Sequence, residues 1–339
     1  MSNLNEGTDV RSDDGLEQLL KKASPRPVPS RQDEDAARQA VIAEWQSVTG
    51  RRRSRQRVMR YAMVATVLLA VFVTFNMFRG PVVEAVHVAS IEKSFGAIYL
   101  LGESAELKET RDLSDVLSGQ TIVTGADAGL ALAWGAGGSL RIDESSRVTF
   151  TNDQSIYLDA GRIYFDSRSP TLTVGITSGG DTEFSVVTDH GEVSHVGTQF
   201  MTEIDSDALT VSVREGRVAI DGRYHKHEAS PGEQVTFAGR QRPTVLNIGS
   251  TGQGWGWISR TTPPADVDGK SLQQFLDWAC RELGLELEFE GGAGQVAEEA
   301  ILRGTIDIDP ADALRLRLAS AALVYRIDQG VLYVSDTNP

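Results

Sequence analysis

The sequence predicts a single-pass membrane protein whose outer part joins an all-β domain to a small module of helices and strands. Three observations predict it. Tyr61 to Phe78 (YAMVATVLLAVFVTFNMF) runs 18 residues without a charge. Residues 88–245 alternate apolar and polar side chains between closely spaced turns, and after Pro263 and Pro264 apolar residues recur at helical spacing. A chain of 339 residues has room for two or three such units. The net charge of -14 excludes a general nucleic-acid binder, and the single cysteine, Cys280, excludes an intrachain disulfide and a cysteine-rich zinc cluster.

Residues 1–60 form a cytoplasmic segment. Met1 to Ser30 is polar, interrupted by Pro25, Pro27 and Pro29, and cannot bury enough surface to fold alone. Residues 32–48 are compatible with a helix, with Ala36, Ala37, Ala40, Val41, Ala43 and Glu44 and no breaker before Gly50. Trp45 on this stretch is a candidate partner contact, or part of a juxtamembrane helix that continues into the span.

Residues 61–78 are the transmembrane helix, since 18 residues at about 1.5 Å each cover about 27 Å. Arg51, Arg52, Arg53, Arg55, Arg57 and Arg60 precede the run and only Arg79 follows it closely, which puts the N-terminus in the cytoplasm. A cleaved signal peptide would need a charged region of some 60 residues and a small-residue cleavage site that is lacking here. A buried core helix would show a polar stripe. Charge separates along the same boundary: residues 1–60 hold 12 Lys and Arg against 9 Asp and Glu, or +3, and the remainder 21 against 38, or -17. The arginines therefore suit headgroups or a partner better than nucleic acid.

Over residues 88–245, Leu209, Val211 and Val213 alternate with Thr210, Ser212 and Arg214, as Ile156 and Leu158 do with Ser155, Tyr157 and Asp159. Gly135 to Gly138, Asp159 to Gly161, Glu215 to Gly216, Asp221 to Gly222 and Pro231 to Gly232 read as turns, which fits a sandwich, barrel or solenoid. Residues 249–262 read as a glycine-rich linker in which Trp255 and Trp257 pack the two outer units together or line a ligand groove. From 263 to 339, Leu272, Phe275, Leu276, Ala279 and Leu283 mark a helix capped by Ser271 and closed by Gly284. Cys280 on it reads as a core residue. Leu285, Leu287 and Phe289 read as a strand, Ile301 to Ile308 as another, Asp309–Pro310 as the start of a second helix, and Val324–Ile327 with Val331–Val334 as a hairpin across Gln329–Gly330. Leu287, Phe289, Leu332 and Val334 are candidate partner contacts at an exposed edge, or else fill the module's own core.

No nucleophile elbow, zincin, Walker or dinucleotide motif occurs, so a conventional enzyme is not expected, and neither is a cofactor. His225 and His227, two apart, would share one face of a strand but lack a third ligand, so no metal site is expected.

Five blocks carry a family likeness: Val123–Thr124 with Leu130 to Trp134, Leu158-Asp-Ala-Gly-Arg-Ile-Tyr-Phe165, His195-Val-Gly-Thr-Gln-Phe200, Val211-Ser-Val-Arg-Glu-Gly-Arg-Val218 and Pro231-Gly-Glu-Gln234. In this order they resemble the FecR periplasmic domain. The stretch from Pro263 to Ser335, with Gly304-Thr-Ile between two helices, looks like the short N-terminal module of secretins and TonB-dependent receptors. The resemblance implies a solenoid-like all-β periplasmic domain followed by a two-layer α/β module. It also implies an inner-membrane regulator of transcription whose cytoplasmic segment binds an extracytoplasmic-function sigma factor and whose periplasmic part hears a TonB-dependent receptor or secretin. In several members of that family the Gly-Thr bond of the third block cleaves itself. Carried over to this chain, Gly197 and Thr198 are the candidate cleavage site and His195 a candidate proton carrier; a glycine that admits a tight bend beside a core-facing Thr198 explains the same residues.

Overall fold

The structure, a computed structural model, describes residues 21–22, 30–45, 86–102, 106–110, 113–135, 137–168 and 184–336. The apolar run 61–78 and Arg51, Arg52, Arg53, Arg55, Arg57 and Arg60 lie outside the described residues. Among the described residues no helix is long and apolar enough to cross a membrane. The chain divides into two compact units, Met1–Val83 and Glu84–Pro339.

In the first unit, helix α1 spans 31–45. Ser30 caps it, its hydroxyl accepting from the Asp33 amide at 3.2 Å. Val41, Ile42 and Trp45 are exposed on it, Trp45 by 67%.

The second unit begins with β1 (His87–Phe95), β2 (Ile98–Leu101), β3 (Leu107–Glu109), β4 (Asp115–Leu117), β5 (Thr121–Thr124), β6 (Gly129–Trp134), β7 (Ser139–Ile142) and β8 (Arg147–Phe150). It continues through β9 (Ser155–Asp166), β10 (Ser185–Thr188), β11 (Gly191–Asp205), β12 (Ala208–Gly222), β13 (Lys226–Ala229), β14 (Glu233–Ala238) and β15 (Thr244–Asn247). All of these strands belong to one continuous, mostly antiparallel sheet, with β9 and β10 paired in parallel.

The sheet folds over on itself where its long strands change partners. Strand β9 pairs with β8 up to Ala160 and with β7 from Ile163. Strand β11 pairs with β10 up to Ser194 and with β9 from Gln199. Strand β12 pairs with β14 up to Ser212 and with β13 from Val218. A left-handed glycine sits at each corner: Gly161 at φ +88°, Gly197 at φ +60° and Gly216 at φ +77°. The sequence pattern read Asp159–Gly161 and Glu215–Gly216 as chain-reversing turns. Instead they bend strands that continue past them to new partners, and a β-carbon on Gly161 would lie 2.3 Å from the Ser146 hydroxyl, which keeps that bend for glycine. The inner faces close over a core that includes Leu130, Leu132, Leu140, Ile163, Phe165, Phe200, Val211 and Val213.

The C-terminal module comprises β16 (Ala265–Asp266), α3 (Leu272–Leu283), β17 (Glu286–Glu290), α4 (Ala293–Glu299), β18 (Thr305–Ile306), α5 (Pro310–Ser320), β19 (Val324–Asp328) and β20 (Val331–Ser335), preceded by the short helix α2 (Gly256–Thr261). Helix α3 begins in a capping box, Ser271 with Gln274, and ends on Gly284 at φ +70°. Gln329 at φ +47° and Gly330 at φ +85° give the β19–β20 hairpin the doubly left-handed turn that suits the twist of its strands. The sheet order is β17-β20-β19, with β17 parallel to β20. The expected strand over 301–308 is reduced to β18, because Ile301 and Ile308 are about half exposed and offer no buried face to pair along.

Candidate functional site

The corner at Gly197 is the first part of the site. Between Val196 and Gln199 the β11–β12 register shifts, leaving Gly197 and Thr198 as a bulge opposite Gly216. A β-carbon on Gly216 would lie 2.5 Å from the Gly197 carbonyl oxygen and 2.5 Å from Thr198 Cγ2, so only glycine admits this approach. Thr198 is fully buried, and its hydroxyl has no hydrogen-bond partner among the described residues. Its carbonyl accepts from the Ser167 amide at 3.0 Å.

His195 is buried among Phe165, Phe184 and Phe200, with ring centroids 5.0, 6.0 and 5.5 Å away. Burial pulls its pKa down to about 4, so the ring is neutral at pH 7. Neither ring nitrogen has a hydrogen-bond partner among the described residues, so no hydrogen bond links His195 to Thr198.

The second part is the seam where α2 and α3 cover the outward row of the sheet. Ala131, Arg141, Tyr164 and Met201 occupy this row, and all are buried. Tyr164 and Met201 form a small apolar cluster with Trp255, Trp257 and Ile258, so residues 249–262 contain a helix whose tryptophans pack on the sheet. Burial raises the Tyr164 phenol well above its ordinary pKa, with the Asp166 charge adding to the effect.

Charge is concentrated beneath that cover. Arg141 donates to both carboxylate oxygens of Glu282, at 2.6 and 2.7 Å, with side chains 1% and 3% exposed. Arg141 Nη1 also donates to the Ile258 carbonyl at 3.1 Å and the Thr262 hydroxyl at 3.0 Å. Burial works against the Arg141 charge, but Glu282 outweighs it and the pKa is raised. Arg214 donates to the Ser250 carbonyl at 2.8 Å and the Glu282 carbonyl at 3.2 Å, and lies 4.3 Å from the centre of the Trp255 ring. Arg162 binds Asp143 and stacks on Trp257 at 5.2 Å.

Arg281 joins seam to corner. Its Nε donates to Asp166 Oδ2 at 2.8 Å, its Nη2 to Asp166 Oδ1, and its Nη1 to Glu215 Oε2 at 2.7 Å. Gln199 Nε2 donates to Asp166 Oδ2 at 2.9 Å and to the Arg281 carbonyl at 3.4 Å. A cleft of about 460 Å³ opens here, lined by Arg168, Gln199, Arg214, Glu215 and Arg281 among others. Cys280 on its wall has its thiol pushed up to about 12 by burial and by the Asp277 charge, which makes it a poor nucleophile.

The other expected residues fall elsewhere. Leu332 and Val334 are fully buried in the central strand of the module, so their side chains fill its core and do not face a partner. Leu287 and Phe289 are half-buried against the same core on the edge strand β17. His225 precedes β13 and meets the Arg240 carbonyl at 3.2 Å, while His227 lies within β13; among the described residues no three potential ligands cluster as a metal site. Sequence reasoning missed Arg141, Asp166, Glu215, Arg281 and Glu282.

Residues 120–219 match the FecR protein family model. Two crystal structures of a candidate anti-sigma factor from Parabacteroides distasonis are similar at 16% identity and TM-score 0.32, over 64% of this chain and 99% of theirs. A cell surface anchoring domain is similar at 20% identity and TM-score 0.18, over 20% of this chain and 87% of its own. No curated protein matches the chain.

Proposed function

We propose that the chain is a transmembrane regulator of the anti-sigma type. In this reading residues 61–78 anchor it in a bacterial inner membrane with the N-terminus in the cytoplasm, and α1 holds an extracytoplasmic-function sigma factor. The outer unit receives a signal in the periplasm from a TonB-dependent receptor or secretin, through a module that resembles their own short N-terminal module. The observation that carries the reading is the match to the FecR family model over 120–219, in a chain whose charge pattern follows the positive-inside rule. The exposed Val41, Ile42 and Trp45 support it as an apolar stripe on which a helical partner can pack. Co-expression of the full-length protein with sigma factors of that class tests it. Co-purification that is lost on deleting residues 31–45 is the expected result. Capture of a secretin or receptor with no sigma factor would instead make the protein an envelope scaffold.

A second reading concerns Gly197–Thr198, where a buried, unpartnered hydroxyl adjoins a left-handed glycine. Thr198 Oγ attacks the Gly197 carbonyl carbon, the amide bond breaks, and the hydroxyl proton ends on the departing nitrogen. Water then hydrolyses the ester to a Gly197 carboxylate and a free Thr198 hydroxyl. Mass spectrometry of the purified protein reads it directly: two chains split after Gly197, and one intact chain for Thr198→Ala. An intact wild-type chain sinks this reading.

A further inference from the structure

Asp166, Gln199 and Glu215 are register neighbours on β9, β11 and β12, and form one rung across the sheet. That rung borders the bulge: Gln199 follows Thr198, Glu215 precedes Gly216, and the Thr198 carbonyl is held by Ser167, which follows Asp166. Arg281, in the last turn of α3, contacts all three rung residues, two through its guanidinium and Gln199 through its carbonyl. The Arg281 side chain is 18% exposed and Asp166 4%, so that contact is mostly shielded from solvent, while Glu215 is 40% exposed.

We propose that Arg281 is a positioning residue that couples the seating of the C-terminal module to the backbone of the Gly197–Thr198 bulge. With α3 seated, the guanidinium ties the two strands flanking β11 and keeps Gly197 against Gly216. When the module is drawn away, Asp166 loses its ion pair and Glu215 is left with Arg168 alone, so the rung loosens and the bulge opens to water. Strand β7 meets β9 on the edge opposite β11, with Ser139 beside Asp166, and β6 lies one strand further from the corner, so β6 is expected to stay untouched. The inference deepens the signalling reading and rests on it for its purpose, since a partner pulling on the module would thereby reach one particular peptide bond.

Hydrogen exchange by mass spectrometry on the full-length protein in mild detergent tests the coupling without a sigma factor. For Arg281→Ala, the peptide spanning 196–200 is expected to exchange on the order of tenfold faster, while 129–134 in β6 and 272–280 in α3 keep their rates. Arg281→Lys, which keeps the charge and loses the fork, is expected to restore part of the protection. Unchanged exchange at 196–200 overturns the proposal, and so does equal acceleration of all three peptides, which would mean general loosening. Should Arg281→Ala fail to fold, Arg281→Gln, which leaves the Arg168–Glu215 pair in place, serves instead: faster exchange confined to 196–200 supports the coupling and no change there overturns it. Sigma-factor co-purification on the same variants reports the signalling reading separately, so either result can fail alone.

Discussion

Replacing Glu282 by glutamine leaves the Arg141 guanidinium charged, 1% exposed and without its counter-ion. The magnitude follows from the geometry. Two unit charges about 4 Å apart attract by about 4 kcal/mol at an effective dielectric of about 20. Removing one member of a buried pair typically costs about 3–5 kcal/mol, since the other keeps its desolvation penalty. The Ile258 carbonyl and Thr262 hydroxyl still accept from Arg141, but neither supplies a charge. Arg141 Nε has no partner even in the wild type among the described residues, and the nearby Glu92, which feels the Arg141 charge, makes no hydrogen bond to it. Glu282→Gln is therefore expected to lose about 3–5 kcal/mol, and Arg141→Met with Glu282→Leu to fall within about 1 kcal/mol of wild type. Urea unfolding followed by tryptophan emission reads both, because Trp255 and Trp257 lie at the seam. A loss below about 1 kcal/mol for Glu282→Gln, or a double variant as unstable as the sum of its singles, would refute the reasoning.

Three further outcomes are expected. The unfolded chain titrates His195 near its ordinary 6.5 and the folded chain only at about 4, so between those values the unfolded state holds more protons and stability falls as pH falls. The loss attributable to this ring approaches about 3 kcal/mol by pH 4 and is absent above about pH 7; His195→Phe should flatten that slope in urea titrations, and parallel wild-type and variant curves would contradict it. Gly216→Ala sets a β-carbon 2.5 Å from the Gly197 carbonyl oxygen at φ +77°, and is expected to cost at least about 2 kcal/mol by the same assay. Thr198→Val keeps the shape and removes a buried hydroxyl without a partner, so it is expected to stabilise the fold by about 1 kcal/mol; a destabilised variant would reveal a partner for that oxygen.

What was legible in the sequence was local. Period-two alternation marked the strands, and Ser271, Gly284 and Gln329–Gly330 each took the backbone role their chemistry suits. Gly197 reads correctly as a bend, whereas Gly161 and Gly216 read as turns, since a turn and a bent strand ask the same thing of glycine and differ only in what lies opposite. For Gly216 that is Gly197, which tertiary structure alone brings there. The seam was harder, because Arg141 and Glu282 stand 141 positions apart and each, in its own segment, resembles an ordinary solvated charge. A trace was nevertheless present. The core-facing set Leu140, Ile142, Ile163 and Phe165 assigns Arg141 and Tyr164 to the opposite face of their strands, and Phe200 likewise sends Met201 there. A sheet face left in water has little use for a tyrosine and a methionine side by side. Their presence implies a cover, and an arginine beneath a cover requires a carboxylate brought by it. That argument points to a charged residue on the inner side of whatever segment packs above, the position Glu282 occupies on the buried face of α3.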